Sequence, residues 1–546
     1  MHRVARWFRY DFVGSVFAVA FLCMSLTPSL LPRHWLLQAL IGGISAAIGY
    51  GVGLFLLWLA RAVVMRHRRR WVIGRRAWYW FGGVAGVLVI VMLIFAERWQ
   101  TDIHHLMGVD APPGYSYIAL FIVAALAFAG LVGIGRLIRL SARKLGGFAG
   151  RWIPGWAARL TAVVVVTLLT IGIVNGVLIQ GFFTVTDNMF ATVNSETDPG
   201  VEAPTDPNRS GGPGSLTPWD SLGNQGRTFA AGGPTVADLT AFGVAQPVDP
   251  IRVYAGLDSA ETTEERAALV VKELRRTGAF SRKLLCVITT TGTGWVDAAA
   301  IEPLEYMYGG DTALAGMQYS YLPSWISFLV DKERARDAGR ELFNQVYDAW
   351  SELPENNRPK LVAFGESLGS FGAESAFSGA ADMSGRTDGM LLVGPPNRNR
   401  LWREFVADRE PGTPEILPVY DNGRIVRFAQ LPPDLDQPAG EWKSGRVAYL
   451  QHPSDPIVWW TPRLLLHRPD WLEEPRGPDV LPAMRWFPFV TFWQVTADMA
   501  FSTGVPDGHG HNYGAEGVAA WAAVVPPSGW TAAQTEKLTS VISEKH

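Results

Sequence analysis

Residues 365–369 read Gly365-Glu366-Ser367-Leu368-Gly369, a G-x-S-x-G pattern. It follows the apolar run Leu361–Phe364 and precedes a helical run, so it predicts a tight strand-to-helix turn that lifts the Ser367 hydroxyl from the sheet edge. A serine hydroxyl is a weak nucleophile at neutral pH. It needs a base to take its proton and an acid to orient that base. Candidates follow in chain order. Asp455, in Ser454-Asp455-Pro456, comes just after the apolar run 446–450 and is the expected acid, with Asp470 and Asp479 in reserve. His511, in Gly508-His509-Gly510-His511, precedes a helical run from Gly517 and is the expected base, with His509 in reserve. The chemistry of such a set is acyl transfer through a covalent serine ester. Its developing oxyanion needs two N–H donors. One is expected from Leu368. The other is expected from Gly292 and Thr293, in the glycine-bearing loop after the run 284–289. That loop lacks the lysine of a phosphate-binding turn.

Two histidines at i and i+2 could ligate zinc. No cysteine lies near them, so neither metal nor cofactor is expected. Trp295, Tyr319, Trp459 and Trp460 are candidates for a substrate pocket. The aromatic stretches 317–325 and 485–493 could shape its wall or form the core.

These residues need a scaffold. From residue 236 onward short apolar runs alternate with amphipathic helices. Runs at 251–255, 284–289, 360–364, 390–393 and 446–450 read as strands, and 263–276 and 331–352 read as helices. Continuous apolar strands separated by helices predict a mostly parallel sheet covered on both faces.

The first third is different. The chain has 546 residues, of which 48% are hydrophobic and 18% charged, with a net charge of −2. That excludes a disordered chain and argues against a nucleic-acid partner. The apolar excess falls in five stretches, 12–32, 35–60, 77–96, 113–135 and 160–184, each near the ~20 residues that span a bilayer. A five-helix transmembrane domain is therefore expected over 1–187, with the lipid bilayer as its partner. Basic residues gather before the first span (Arg3, Arg6, Arg9), between the second and third (Arg61 to Arg76) and between the fourth and fifth (Arg136 to Arg159). The positive-inside bias puts the N-terminus in the cytoplasm, and five spans put the later residues outside the cytoplasmic membrane. Residues 188–235, dense in Gly, Pro and Ser, read as a linker, and 236–546 as the catalytic domain.

With Gly365-Glu366-Ser367-Leu368-Gly369, Ser454-Asp455-Pro456 and Gly508-His509-Gly510-His511 in this order, the chain resembles the α/β-hydrolase superfamily. More narrowly, it resembles the bacterial, mainly actinobacterial, hydrolases with an N-terminal multi-span region and no assigned substrate. The resemblance implies a serine nucleophile and an eight-stranded, mostly parallel sheet. Together these readings lead to an expected membrane-anchored serine hydrolase acting on a lipid or other acyl ester. The alternatives are an acyltransferase of envelope lipids or glycans using the same three residues, and a non-catalytic membrane scaffold.

Overall fold

A computed structural model describes residues 10–63, 73–110, 117–173, 176, 193–322, 327 and 332–546. Arg3, Arg6, Arg9, the arginines at 66 and 68–70, residues 188–192 of the expected linker and Trp325 lie outside the described residues. The chain forms two compact units, Met1–Val185 with Pro462–Asp498, and Thr186–Thr461 with Met499–His546.

The first unit is helical. Helix α1 (Phe12–Ser25) is capped by Asp11, whose carboxylate accepts from the N–H of Val13 at 3.0 Å. It is followed by α2 (Trp35–Val63), α3 (Arg75–Leu106), α4 (Tyr117–Ala149) and α5 (Gly155–Gly172). Helices α2 to α5 are long and apolar enough to cross a membrane; α1 is not. The fivefold count is thus not reached among the described residues. The first expected span, 12–32, gives a helix of only 14 residues, about 21 Å long, against a hydrocarbon core of about 30 Å. Pro28 cannot continue the helix, and the chain turns at Leu26 and Thr27. The later part of the fifth expected span falls mostly outside the described residues.

In lipid, helices associate by close packing of small residues. A Cβ on Gly43 of α2 would stand 2.6 Å from Cβ of Ala127 and 2.7 Å from the carbonyl of Ala124, both on α4. A Cβ on Gly49 would stand 2.5 Å from the carbonyl of Phe17 on α1. The turn after α1 is held by the helix Val490–Met499, which the chain supplies much later. Asp498 Oδ1 accepts from Arg33 Nε at 2.9 Å, and its Oδ2 accepts from the N–H of Leu30 at 3.2 Å and from the Ser29 hydroxyl. Gln494 Nε2 donates to the carbonyl of Thr27 at 3.0 Å. The aromatic stretch 485–493 therefore belongs to the helical unit.

The second unit is built on a sheet of seven strands among the described residues, one fewer than the resemblance implies. They are β1 (Ile251–Ala255), β2 (Leu284–Thr289), β3 (Thr312–Met317), β4 (Lys360–Glu366), β5 (Gly389–Val393), β6 (Val426–Ala429) and β7 (Arg446–Leu450), in the order β1-β3-β2-β4-β5-β7-β6. Every pairing is parallel. Six of the strands are buried or nearly buried along their whole length, and helices cover both faces. On one face Ile301, Leu304, Val518 and Trp521 pack against Cys286, Val362 and Phe364. On the other, the helix Lys332–Ser351 crosses Leu368–Glu374 so closely that a Cβ on Gly339 would stand 2.3 Å from the carbonyl of Gly372.

The strand order reverses direction between β2 and β4. Loops leaving these two strands at their carboxyl ends turn to opposite sides of the sheet and leave a crevice between them. The register pairs Thr289 of β2 with Gly365 of β4, so the loop after β2 and the turn after β4 begin level with each other.

The Gly- and Pro-rich stretch is ordered where it is described. Ser210 N–H donates to the carbonyl of Arg252 at 3.0 Å and its hydroxyl accepts from Tyr254 N–H at 2.9 Å, which fastens this segment along β1. Arg252 is fully buried and forks onto Glu305 at 2.9 and 2.6 Å. A buried guanidinium needs such pairing, and it supplies anchoring that composition does not reveal.

Candidate active site

Ser367 stands at the end of β4 with φ 53° and ψ −126°, a backbone conformation that side chains other than glycine rarely adopt. The turn holds because its flanks are glycine. A Cβ on Gly365 would lie 2.5 Å from the carbonyl of Gly369, and one on Gly369 would lie 2.2 Å from the carbonyl of Thr289. The bend is fixed by Ser367 N–H donating to the carbonyl of Val393 at 2.9 Å, and by the Ser370 hydroxyl donating to the carbonyl of Ser367 at 2.7 Å.

Asp455 follows β7 and caps a short helical turn, accepting from Ile457 N–H through Oδ1 at 2.8 Å. Its other oxygen, Oδ2, bonds His511 Nδ1 at 2.7 Å and accepts from the Tyr513 hydroxyl at 2.8 Å. The carboxylate is fully buried. With Nδ1 donating to Asp455, the imidazole presents Nε2 as an acceptor. That Nε2 has no hydrogen-bond partner among the described residues. His511 and Ser367 line one cavity of about 730 Å³.

The loop that carries His511 is braced by its neighbours. Ser454 Oγ accepts from Gly510 N–H at 2.8 Å, and His452 Nδ1 donates to the carbonyl of Gly510 at 2.9 Å. The rings of His452 and Tyr513 stack at 4.1 Å. His511 N–H donates to the carbonyl of Ser502 at 2.8 Å. On the opposite side Gly394, at φ +53°, leaves room for the imidazole; a Cβ there would lie 2.3 Å from Cε1 of His511. His509 bridges to Asn512 instead and is not part of the cavity wall, and Asp470 and Asp479 lie in the helical unit.

The loop after β2 is a turn closed by Gly294 N–H on the carbonyl of Thr291 at 3.0 Å. Gly294 sits at φ +88°, and a Cβ there would stand 2.3 Å from the Tyr254 hydroxyl. This turn brings Thr291 and Trp295 to the cavity, while Gly292 and Thr293 are not among its lining residues. The Thr293 carbonyl faces away, accepting from Gln318 Nε2 at 2.8 Å. Leu368, whose N–H heads the helix after the elbow, does line the cavity. Of the four aromatic pocket candidates only Trp295 does so. Tyr319, Trp459 and Trp460 are buried, and Trp459 Nε1 donates to the carbonyl of His452 at 3.0 Å.

Two features escape a reading of the motifs. Tyr513, two residues after His511, adds a second donor to Oδ2 of Asp455. Glu366, the variable residue of the G-x-S-x-G pattern, meets Asp297 in the cavity wall. Burial pushes the Glu366 carboxyl well above its usual range, and the Asp297 charge adds to it. Burial also raises Asp297 to about 6, although the Ala299 N–H that it accepts opposes the rise. Both carboxyls hydrogen-bond each other, so the pair retains a proton under conditions where exposed carboxylates have lost theirs.

Comparison with known proteins adds family information. A family model described as alpha/beta-hydrolase family matches residues 251–538, and one described as alpha/beta-hydrolase family N-terminus matches residues 26–234. No curated protein and no solved structure matches the chain.

Proposed function

The chain belongs to the α/β-hydrolase family, and from that premise we propose that it is a membrane-anchored serine hydrolase that cleaves an ester through an acyl-enzyme on Ser367. The observation that carries this reading is the His511 imidazole, fixed to Asp455 through Nδ1, with a buried Nε2 that has no partner among the described residues, in the wall of the cavity that Ser367 also lines from its strained turn. Ser367 Oγ attacks the carbonyl carbon while His511 Nε2 takes the hydroxyl proton. The tetrahedral oxyanion is stabilised by the N–H of Leu368. The same imidazole then protonates the leaving alcohol, and a water repeats the sequence to release the acid and restore Ser367. Asp455, held by Tyr513, keeps the imidazole in the required tautomer.

We place the reaction at the outer face of the cytoplasmic membrane. The basic residues between α2 and α3 and around the α4–α5 connection favour the cytoplasmic side. Four spans from α2 to α5 then carry the chain outward after α5, whether or not α1 crosses.

The test is labelling of the full chain, in membranes or detergent, by a fluorophosphonate probe. Labelling is expected for the native chain and is abolished in Ser367→Ala. Persistent labelling of Ser367→Ala, or none of the native chain, refutes the assignment.

A further inference from the structure

The segment Pro462–Asp498 packs with the helical unit although the chain supplies it late. Its last helix grips the turn before α2. Gln494 Nε2 donates to the carbonyl of Thr27, and Asp498 accepts from Arg33, two residues before α2 begins. Helix α2 is one of those long and apolar enough to cross a membrane. The segment is therefore fastened to the end of a span, at the level of lipid headgroups, opposite the arginine-rich connection from α2 to α3. The rest of it folds back as a strap. Trp486 Nε1 donates to the carbonyl of Leu464 at 2.9 Å, and Phe489 N–H to the carbonyl of Leu465 at 2.8 Å. Beside this clasp Leu466 is 61% exposed, and Trp486, Phe487 and Phe489 are half-buried.

Three arginines of the strap come together. Arg468 Nε donates to the carbonyl of Leu472 at 3.0 Å. Arg476 Nη2 donates at 3.2 Å to the carbonyl of Met484, the residue before Arg485. Burial and the charges of Arg468 and Arg485 hold Arg476 below the usual arginine range. Among the described residues none of the three meets a carboxylate; Arg468 and Arg476 bond only to backbone carbonyls. Asp470, Glu474 and Asp479 of the same segment have partners of their own. Arg468 and Arg485 are exposed. Like charges held this close repel one another, and an anion between them removes the repulsion. Guanidinium groups suit a phosphate, whose oxygens they can bond in pairs.

We propose that Arg468, Arg476 and Arg485 form a headgroup site on this strap, one that holds the phosphate of an anionic phospholipid while Leu466 and the neighbouring aromatic rings rest in the bilayer interface. The occupant is a lipid and not a free phosphate for two reasons. Apolar side chains stand exposed beside the arginines, where a small anion would leave them in water. The strap is also tied to the end of α2, so the site continues the surface that the spans already give to lipid. Aromatic and basic groups together are what an interfacial segment carries. The site makes no use of Ser367 and rests only on the membrane-spanning reading of α2.

The experiment uses the full chain in a neutral detergent and counts bound lipid by native mass spectrometry. Its probes are dioleoyl phosphatidylglycerol, dioleoyl phosphatidylcholine with the same chains, and glycerol 3-phosphate with none. Each arginine beside an anionic headgroup contributes about fivefold in affinity. The native chain should therefore prefer phosphatidylglycerol to phosphatidylcholine by about twenty-fivefold or more. Arg485→Gln should lower that preference about fivefold, and Arg468→Gln combined with Arg485→Gln should bring it close to one. Arg403→Gln, an exposed position in the second unit, should leave it unchanged. No preference in the native chain, a preference that survives the double substitution, or an equal loss in Arg403→Gln overturns the proposal. Displacement of the lipid by an equal concentration of glycerol 3-phosphate overturns the choice of a lipid. If the doubly substituted chain fails to fold, Arg485→Gln decides, because its side chain gives up no hydrogen bond seen among the described residues.

Discussion

Replacing Tyr513 by Phe removes one oxygen from beside the Asp455–His511 pair and leaves every ring in place. The Tyr513 hydroxyl donates to Asp455 Oδ2 at 2.8 Å and accepts from the N–H of His452 at 3.3 Å. The first is a bond to a charged group, worth about 1.5–3 kcal/mol, and the second is a neutral bond of about 0.5–1.5 kcal/mol. Both lie in the interior, where no solvent replaces them. The variant should therefore unfold more easily by about 2–4 kcal/mol. Asp455 keeps its bonds from Ile457 and His511, so the carboxylate stays but rotates more freely. Looser orientation of the imidazole should slow fluorophosphonate labelling about tenfold, with little change in probe affinity. The two effects are read separately: thermal unfolding of the full chain in detergent gives the first, and the labelling rate constant against probe concentration gives the second. Labelling within twofold of the native rate, together with an unchanged unfolding midpoint, would show that Tyr513 does not hold the acid, and the reasoning fails.

Other perturbations test neighbouring parts. Gly394→Ala puts a Cβ 2.3 Å from Cε1 of His511 at a backbone φ of +53°, so the ring must move off Asp455; labelling should fall about a hundredfold while the helical unit keeps its stability. Asp498→Ala removes the buried carboxylate paired with Arg33 in the helical unit and should lower stability by about 3–5 kcal/mol, seen as a lower unfolding temperature in detergent. Glu374 is buried and raised to about 7, so the folded chain holds its proton more tightly than the unfolded chain does. Its contribution is fully present below about pH 4.5 and is lost as pH rises through about 7. Glu374→Gln should flatten the fall in stability over that window in unfolding curves recorded against pH, and an unchanged slope contradicts the assignment.

Much of the molecule is written locally. The length of an apolar run sets whether a helix can span a bilayer, and α2 to α5 follow from that alone. Even the shortness of α1 has a local mark, Pro28, which cuts a stretch that composition reads as continuous. The elbow is local too: Gly365 and Gly369 exist because backbone atoms pass within a Cβ's reach, and that need shows in five consecutive residues. Strands β1, β2, β4, β5 and β7 show as buried apolar runs. Strand β6, four residues with Arg427 inside it, carries too little pattern to be seen.

What only the tertiary structure decided involves residues distant in the chain. His509 and His511 stand on either side of Gly510, and Asp455, 56 residues before His511, bonds the second. The Glu366–Asp297 pair forms because β2 and β4 lie side by side in register, a pairing between segments about seventy residues apart that no local pattern encodes. The aromatic stretch 485–493 packs with the helical unit rather than against the cavity. Side-chain type fixes what chemistry a residue can do and local spacing fixes its backbone, but which groups share a buried space depends on chain topology, and there proximity sets the charge and the proton.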